Sequence, residues 1–122
     1  MRKLVNSFGY AFKGVAHATA TQLNFRIHLG ATVLAVLLGW FLNITVSEWL
    51  WIALCITLVL VTELFNTMIE ALTDLVSPEY NEKAGHVKDM GAGTVVIAAL
   101  FALITGLIIF LPKLTLLFNH AS

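Results

Sequence analysis

Three long apolar segments constrain the fold of this chain more than any other feature of its sequence. They cover about residues 29–44, 49–61 and 91–111, and none of them contains Lys, Arg, Asp or Glu. A helix that crosses a bilayer needs ~20 mostly apolar residues. The chain is 59% hydrophobic and 11% charged, whereas soluble domains are roughly half apolar and about a quarter charged. The sequence therefore predicts an all-α integral membrane protein with three transmembrane helices.

We expect a single membrane domain over residues 1–122. The predicted transmembrane helices lie at residues 26–45, 48–76 and 90–112. Ser47 followed by Glu48 is a typical start for the second helix, which continues past its apolar part into the cytoplasm. Pro78 disfavours helix at the residue before it, so residues 77–88 are predicted to form a polar cytoplasmic loop.

The segment before the first transmembrane helix, residues 4–21, has an apolar pattern of its own. Apolar residues recur there at helical spacing: Leu4, Val5, Phe8, Ala11, Phe12 and Val15. This pattern predicts an amphipathic helix, and we expect it to lie on the membrane surface. The alternative is an extension of the first transmembrane helix.

The basic residues lie mostly on one side of the predicted topology. Six of the seven precede the first transmembrane helix or lie between the second and third: Arg2, Lys3, Lys13, Arg26, Lys83 and Lys88. Cytoplasmic loops carry an excess of Lys and Arg, so the N-terminus and the polar loop are predicted to be cytoplasmic and Lys113 to lie on the other side. Seven basic residues balance seven acidic ones. The sequence therefore lacks the excess of basic residues that would suggest nucleic acid as a partner.

A line of polar residues follows the apolar part of the second transmembrane helix. Its members, at spacings of three, four and four residues, are Glu63, Asn66, Glu70 and Asp74. At ~100° per residue they lie within about 80° of one another on one helix face. A charged side chain at the bilayer centre costs ~2.5–3.5 kcal/mol, so residues of this kind usually have a function.

The position of each acid in this line suggests its role. Trp49 marks the opposite end of the helix, and Glu63 lies ~21 Å from it, near the cytoplasmic edge of a ~30 Å hydrocarbon core. There it can serve as a general base. Glu70 and Asp74, nearer water, can bind a hard cation through oxygen. The alternative is that the acids only solvate a helix end or make contacts between helices.

A second polar motif, HVKDMGAG at residues 86–93, opens the third transmembrane helix. A lysine at a helix N-terminus suits phosphate, because the free N–H groups there also favour anions. Gly91 and Gly93 permit close approach of a backbone or ligand. Carboxylates for Mg²⁺, the Lys88 ammonium for phosphate and a buried base are the groups that phosphoryl transfer requires.

Several stretches resemble the prokaryotic diacylglycerol kinase and undecaprenol kinase family of small membrane lipid kinases. They are FGYAFKG, NFRIH, ELFNTMIEALTD and SPEYNEKAGHVKDMGAG. The resemblance covers nearly the whole chain without a gap. It implies a surface helix followed by three transmembrane helices, a homotrimer, and an active site shared between subunits at the cytoplasmic face of the bacterial inner membrane.

The resemblance also implies roles for individual residues. It makes Glu63 the catalytic base and Glu70 a metal ligand. The residues that it places at the nucleotide are Lys3, Tyr10, Asn66, Asp74, Glu79, Tyr80, Asn81, Lys88 and Asp89. His28, at the entry to the first transmembrane helix, is a candidate contact for phosphate or a lipid headgroup.

One position departs from the family pattern. The family commonly has a glutamate, a second metal ligand, four residues before the Arg of the FR pair, and this chain has Gln22 there. A glutamine oxygen can coordinate Mg²⁺ but brings no charge. The substitution puts the number or affinity of bound metal ions in question.

The predicted function is ATP- and Mg²⁺-dependent phosphorylation of a membrane lipid alcohol. Undecaprenol, giving undecaprenyl phosphate, is the favoured acceptor, because NFRIH and FLPKL resemble the undecaprenol kinase branch. Diacylglycerol, giving phosphatidic acid, is the alternative. A small proton-coupled transporter that uses Glu63 as its membrane carboxyl is a hypothesis of another class, and a holin-like membrane protein is a third.

Overall fold

Four helices make up most of residues 1–121, the part of the chain that the computed structural model describes. They are α1 (Arg2–Thr21), α2 (Leu23–Phe41), α3 (Val46–Val76) and α4 (Glu82–Ala121). Helices α2, α3 and α4 are each long and apolar enough to cross a membrane. The predicted all-α membrane fold, with one helix ahead of three spans, is therefore confirmed.

Two of the helices are much longer than a bilayer is thick. Helix α3 has 31 residues and α4 has 40, which at 1.5 Å per residue gives ~46 and ~60 Å against a ~30 Å hydrocarbon core. The two helices pack along each other, α2 packs against α3, and α1 makes smaller contacts with α2 and α3. The α3–α4 pair therefore carries polar side chains well beyond the apolar core.

The segment predicted as a loop, residues 77–88, is helical from Glu82 onward, so that prediction is wrong for its second half. Asn81 starts the helix, because its side-chain Oδ1 accepts a hydrogen bond from the backbone N–H of Ala84 at 2.9 Å, as helix-capping Asn residues do. The polar composition of this segment reflects contact with water rather than the absence of a helix. The connection between α3 and α4 is therefore only residues 77–81.

Other boundaries also differ from the predicted ones: α1 begins at Arg2 rather than at residue 4, and α2 ends at Phe41 rather than at residue 45. Helix α2 begins at Leu23, after the extended residue Gln22, and α4 continues through Pro112. Helix α3 begins after Thr45 rather than at Ser47, because Thr45 and Glu48 form a capping box in which each side chain accepts a hydrogen bond from the other's backbone N–H. The Thr-x-x-Glu spacing is the local signal for that start.

A small apolar core closes the end of the bundle where α2 turns into α3. Its buried members are Ile44, Ile52, Ile109 and Phe110. Beside it, Lys113 of α4 lies 3.2 Å from Glu48 of α3, with both side chains less than a third exposed. This ion pair joins the start of α3 to the far part of α4.

Gly39 allows α2 to approach the Trp49 side chain at this end. A methyl group added at Gly39 would lie 2.8 Å from the Trp49 ring, whereas one added at Gly30 would meet nothing within 4 Å. Replacing Gly39 by Ala is expected to lower the free energy of unfolding by about 1–3 kcal/mol through overpacking. Thermal unfolding of the purified protein measures the effect.

Gly30→Ala is the matched control for Gly39→Ala. Both changes add the same methyl group to α2, and Ala is the better helix former by about 1 kcal/mol. The control is therefore expected to match or exceed the wild type in thermal stability. Equal stability of the two variants would contradict the packing role assigned to Gly39.

Candidate active site

The polar line on α3 runs from a buried end to an exposed end. Glu63 is 4% exposed and Asn66 is 7% exposed, Glu70 is half-buried, and Asp74 is exposed. The gradient arises because α3 leaves the packed part of the bundle as it approaches the connection to α4. Helix α3 thus presents a buried carboxylate, that of Glu63, and a carboxylate in contact with water, that of Asp74.

Asn66 is held where α3 and α4 come closest at this level. Its Nδ2 donates to Glu70 Oε1 at 3.4 Å, and its Oδ1 is the one buried side-chain polar atom without a hydrogen-bond partner among residues 1–121. A methyl group at Gly91 would lie 2.6 Å from that oxygen, whereas one at Gly93 would meet nothing within 4 Å. Of the two glycines of the motif, only Gly91 is therefore required by a close approach.

Lys88 of α4 reaches back to α3. Its Nζ lies 2.5 Å from Asp74 Oδ1, and both side chains are partly exposed. Lys88 precedes the uncharged stretch of α4, and the hydrogen bond to Asp74 raises the pKa of its ammonium group above the ordinary lysine value. Lys88 therefore carries its positive charge at neutral pH and has a carboxylate as partner.

Five of the residues predicted at the nucleotide line one cavity of about 360 Å³ where α3 connects to α4. They are Asp74, Glu79, Tyr80, Lys88 and Asp89. The short connection of residues 77–81 brings them together, because it returns the start of α4 to the end of α3. The cavity combines an ammonium group, carboxylates and an aromatic ring, which suits a charged ligand with a planar group.

A second cavity, of about 630 Å³, lies between α1 and α3. Gln22, Glu70 and Asp74 line it with oxygen-bearing side chains, and His17 and Thr21 border it. Asp74 borders both cavities. The polar line of α3 therefore connects two spaces at the same end of the bundle.

The oxygen atoms that line the second cavity suit a magnesium ion that keeps most of its water ligands. Among residues 1–121 no group of three or more His, Cys, Asp or Glu side chains could hold a metal ion. Mg²⁺ typically keeps several waters and binds one or two carboxylates together with substrate phosphates. Glu70 and Asp74, with the neutral oxygen of Gln22, offer that kind of donor set.

Four predicted nucleotide contacts lie outside that cavity. One of them is Asn66, which is buried against Gly91. Lys3 and Tyr10 are exposed on α1, outside both cavities. The Tyr10 ring instead has the Lys13 ammonium 5.8 Å from its centre. Asn81 uses its side chain to cap α4 and to donate to the Ser77 hydroxyl.

The structure adds His28 to the site. Its Nε2 lies 3.6 Å from Glu63 Oε2, and the two side chains are 23% and 5% exposed. The sequence prediction was limited to a phosphate or headgroup contact. The sequence does contain a signal for this contact. His28 and Glu63 lie at similar distances along the chain on either side of the α2–α3 turn, so antiparallel packing of α2 and α3 brings them to a similar level in the membrane.

Comparison with known proteins identifies the family of this chain. The three long apolar helices are those of an integral membrane protein, and a family model described as prokaryotic diacylglycerol kinase matches residues 9–110. The chain belongs to this family. The prediction of a lipid kinase is confirmed, and a transporter or holin-like protein is no longer supported.

Individual relatives carry two different names. The chain is 34% identical over 114 residues to the undecaprenol kinase of Bacillus subtilis, covering 93% of each protein. It is 41% identical over 112 residues to a diacylglycerol kinase of Synechocystis sp., covering 91% of this chain and 64% of that protein. It is 33% identical over 103 residues to the diacylglycerol kinase of Escherichia coli K12, covering 84% of each.

Gly91→Ala tests the contact between α4 and Asn66. The added methyl group is expected to displace the Asn66 amide and lower kcat for lipid phosphorylation about 10- to 100-fold, since small misplacements near reacting groups have effects of this size. Gly93→Ala, in open space on the same helix, is the control and should keep kcat within about twofold of the wild type. Equal kcat values for the two variants would show that the Asn66 position is unimportant.

Proposed function

We propose that the protein transfers the γ-phosphoryl group of ATP to the hydroxyl of undecaprenol and so forms undecaprenyl phosphate. The carrying observation is that α3 holds a buried carboxylate, Glu63, and an exposed carboxylate, Asp74, which is bonded to the Lys88 ammonium. This arrangement suits a lipid hydroxyl that arrives from the membrane and a triphosphate that arrives from water. The relative named undecaprenol kinase matches along almost the full length of both chains, which supports this acceptor.

Diacylglycerol is the second candidate acceptor, and the 41% identity to a relative named diacylglycerol kinase favours it. Both acceptors present a hydroxyl group at the membrane surface. They differ in the apolar chains that the protein must accommodate. The choice between them is therefore a property of the surfaces that face lipid rather than of the polar line.

In the proposed reaction, the lipid hydroxyl oxygen attacks the γ-phosphorus, the bond to the β,γ-bridging oxygen breaks, and ADP leaves. Glu63 accepts the hydroxyl proton, because its carboxylate is the one that lies in the apolar part of the bundle. Lys88 exchanges its bond to Asp74 for the phosphate oxygens and stabilises their charge. Asn66 keeps the Glu70 carboxylate in place through its Nδ2 group.

Glu70, with Gln22 and Asp74 as further oxygen donors of the same cavity, would hold Mg²⁺, which supplies positive charge against the phosphate oxygens when bound. Apart from these three residues, the polar side chains that line this cavity are those of His17, Thr21 and Thr67, and the rest of the lining is apolar. Few competing polar groups are present to draw the cation elsewhere. The carboxylates also repel the triphosphate unless a cation is present.

We further propose that three copies of the chain assemble in the inner membrane, with the N-terminus and the site on the cytoplasmic side. Lys3 and Tyr10 lie outside both cavities of their own chain, so a neighbouring copy is needed for them to reach a nucleotide. The excess of Lys and Arg at the α1 end supports the orientation. Lys113, the one basic residue predicted on the other side, has Glu48 as its partner.

Glu63→Gln tests the proposed base. The amide cannot accept the proton, and general acid–base catalysis contributes roughly 10²- to 10⁴-fold, so kcat should fall by that factor. The assay measures transfer of labelled γ-phosphate in the presence of Mg²⁺, with undecaprenol, diacylglycerol and ceramide offered separately. Undecaprenol is expected to be phosphorylated with the highest kcat/KM.

Glu82→Gln is the matched control for Glu63→Gln. Glu82 is an exposed acid in the first turn of α4, with a side chain that is 87% exposed, and its loss should leave kcat within about twofold of the wild type. Normal turnover of Glu63→Gln would remove Glu63 from the mechanism. A higher kcat/KM for diacylglycerol or ceramide would overturn the proposed acceptor.

Gln22→Glu tests the metal site. The change adds a carboxylate to the cavity lined by Glu70 and Asp74, and metal affinity rises with the charge of the ligands. The Mg²⁺ concentration for half-maximal activity is expected to fall roughly tenfold. Asn24→Glu, an exposed position two residues away, controls for a general charge effect, and an unchanged Mg²⁺ requirement in Gln22→Glu would contradict the assignment.

A further inference from the structure

His28 is the ionisable side chain that α2 brings to Glu63. Its Nε2 faces Glu63 Oε2 at 3.6 Å, and the carboxylate is only 5% exposed. We propose that His28 is a positioning residue that holds the Glu63 carboxylate for proton acceptance during phosphoryl transfer. The inference rests on the proposed function, in which Glu63 accepts the proton of the lipid hydroxyl.

The surroundings of His28 on the side of the bundle core are mostly apolar. His28 lies at the edge of a cavity of about 230 Å³ between α2, α3 and α4. The other residues that line this cavity are uncharged, and most are apolar: Ala31, Thr32, Ala35, Ile52, Cys55, Ile56, Val59, Ala102, Leu103, Gly106 and Phe110. The nearby hydroxyl of Thr32 donates to the His28 carbonyl at 2.8 Å and so is already engaged.

A buried carboxylate without a partner carries a high desolvation cost. It also has three rotatable bonds, so burial alone does not fix the direction of its oxygens. An imidazole that carries its proton on Nε2 donates to one carboxylate oxygen and so restricts the rotation of the group. Glu63 then presents its carboxylate in one direction rather than several.

His28 Nε2 and Glu63 Oε2 are slightly farther apart than the two atoms of a hydrogen bond. At 3.6 Å their separation exceeds the 2.7–3.2 Å range of ordinary N–H···O bonds. Catalytic contacts are often long before substrate binds and shorten in the reactive complex. The proposal is that the lipid hydroxyl, once bound, draws the carboxylate and the imidazole into hydrogen-bond range.

His28→Ala and His28→Gln test the proposal together. His28→Ala should lower kcat for the lipid acceptor about 10- to 100-fold, because the carboxylate loses its fixed direction. The KM for ATP should stay within about twofold, since Lys88 and Asp74 line a different cavity. His28→Gln, whose amide donates from nearly the same place, should recover most of the lost kcat.

His120→Ala is the matched control, because it removes an exposed histidine near the C-terminal end of α4. It should leave kcat and the thermal unfolding temperature unchanged. A purely structural role for His28 would raise the KM for ATP and lower the unfolding temperature in both the Ala and the Gln variants, and that result would overturn the proposal. A wild-type kcat in His28→Ala would also overturn it.

The test separates this inference from the proposed function. Lipid phosphorylation that is lost in Glu63→Gln but unaffected in His28→Ala overturns only the role of His28. Normal phosphorylation in Glu63→Gln overturns the assigned base and the positioning role with it. Loss of kcat in both, with recovery in His28→Gln, is the expected result.

Discussion

The burial of one carboxylate within a helical bundle is the constraint on which the rest of this structure depends. Glu63 is 4% exposed and follows the apolar part of α3. A charge in that setting is costly unless neighbouring groups interact with it. The polar surroundings come from separate parts of the chain: His28 from α2 at 3.6 Å, and Asn66 one turn along α3, in the space that Gly91 of α4 leaves open. Glu63 thus lies buried beside polar groups that come from α2 and from its own helix.

The length of α3 connects that acid to water. From Glu63 to Asp74 is 11 residues, or ~16 Å along the helix axis, and the polar side chains on this face change from buried to exposed over that distance. The same helix therefore carries a buried acid at one level and a water-exposed acid at another. The short connection of residues 77–81 then returns the chain so that Lys88 meets Asp74. A longer loop would leave the lysine and the acids without a fixed relation.

Much of this arrangement can be predicted from the sequence, since helix period and hydropathy are local properties. The three spans and the spacing of Glu63, Asn66, Glu70 and Asp74 are of this kind. The predicted start of α4 is wrong because the polar residues of a water-exposed helix have the composition of a loop. The capping residue Asn81 is the local signal for the observed start. The contact of His28 with Glu63 and the difference between Gly91 and Gly93 depend on how separate helices pack, which no local pattern contains. The exposed positions of Lys3 and Tyr10 likewise depend on how α1 packs against the other helices.

The two ion pairs of α4 have a consequence for the membrane in which the protein works. Lys88 pairs with Asp74 and Lys113 pairs with Glu48, so α3 and α4 are joined by charge at two levels that are 25 residues, or ~37 Å, apart along α4. On α4 the uncharged stretch between them is residues 90–112, which span ~34 Å. That is slightly more than the ~30 Å hydrocarbon core of an average bilayer, and a modest tilt would match the two. A thinner membrane would bring its headgroups closer to Glu63, and a thicker one would cover the acids of α3. The acyl-chain length of the host lipids therefore sets the depth at which Glu63 lies below the headgroups.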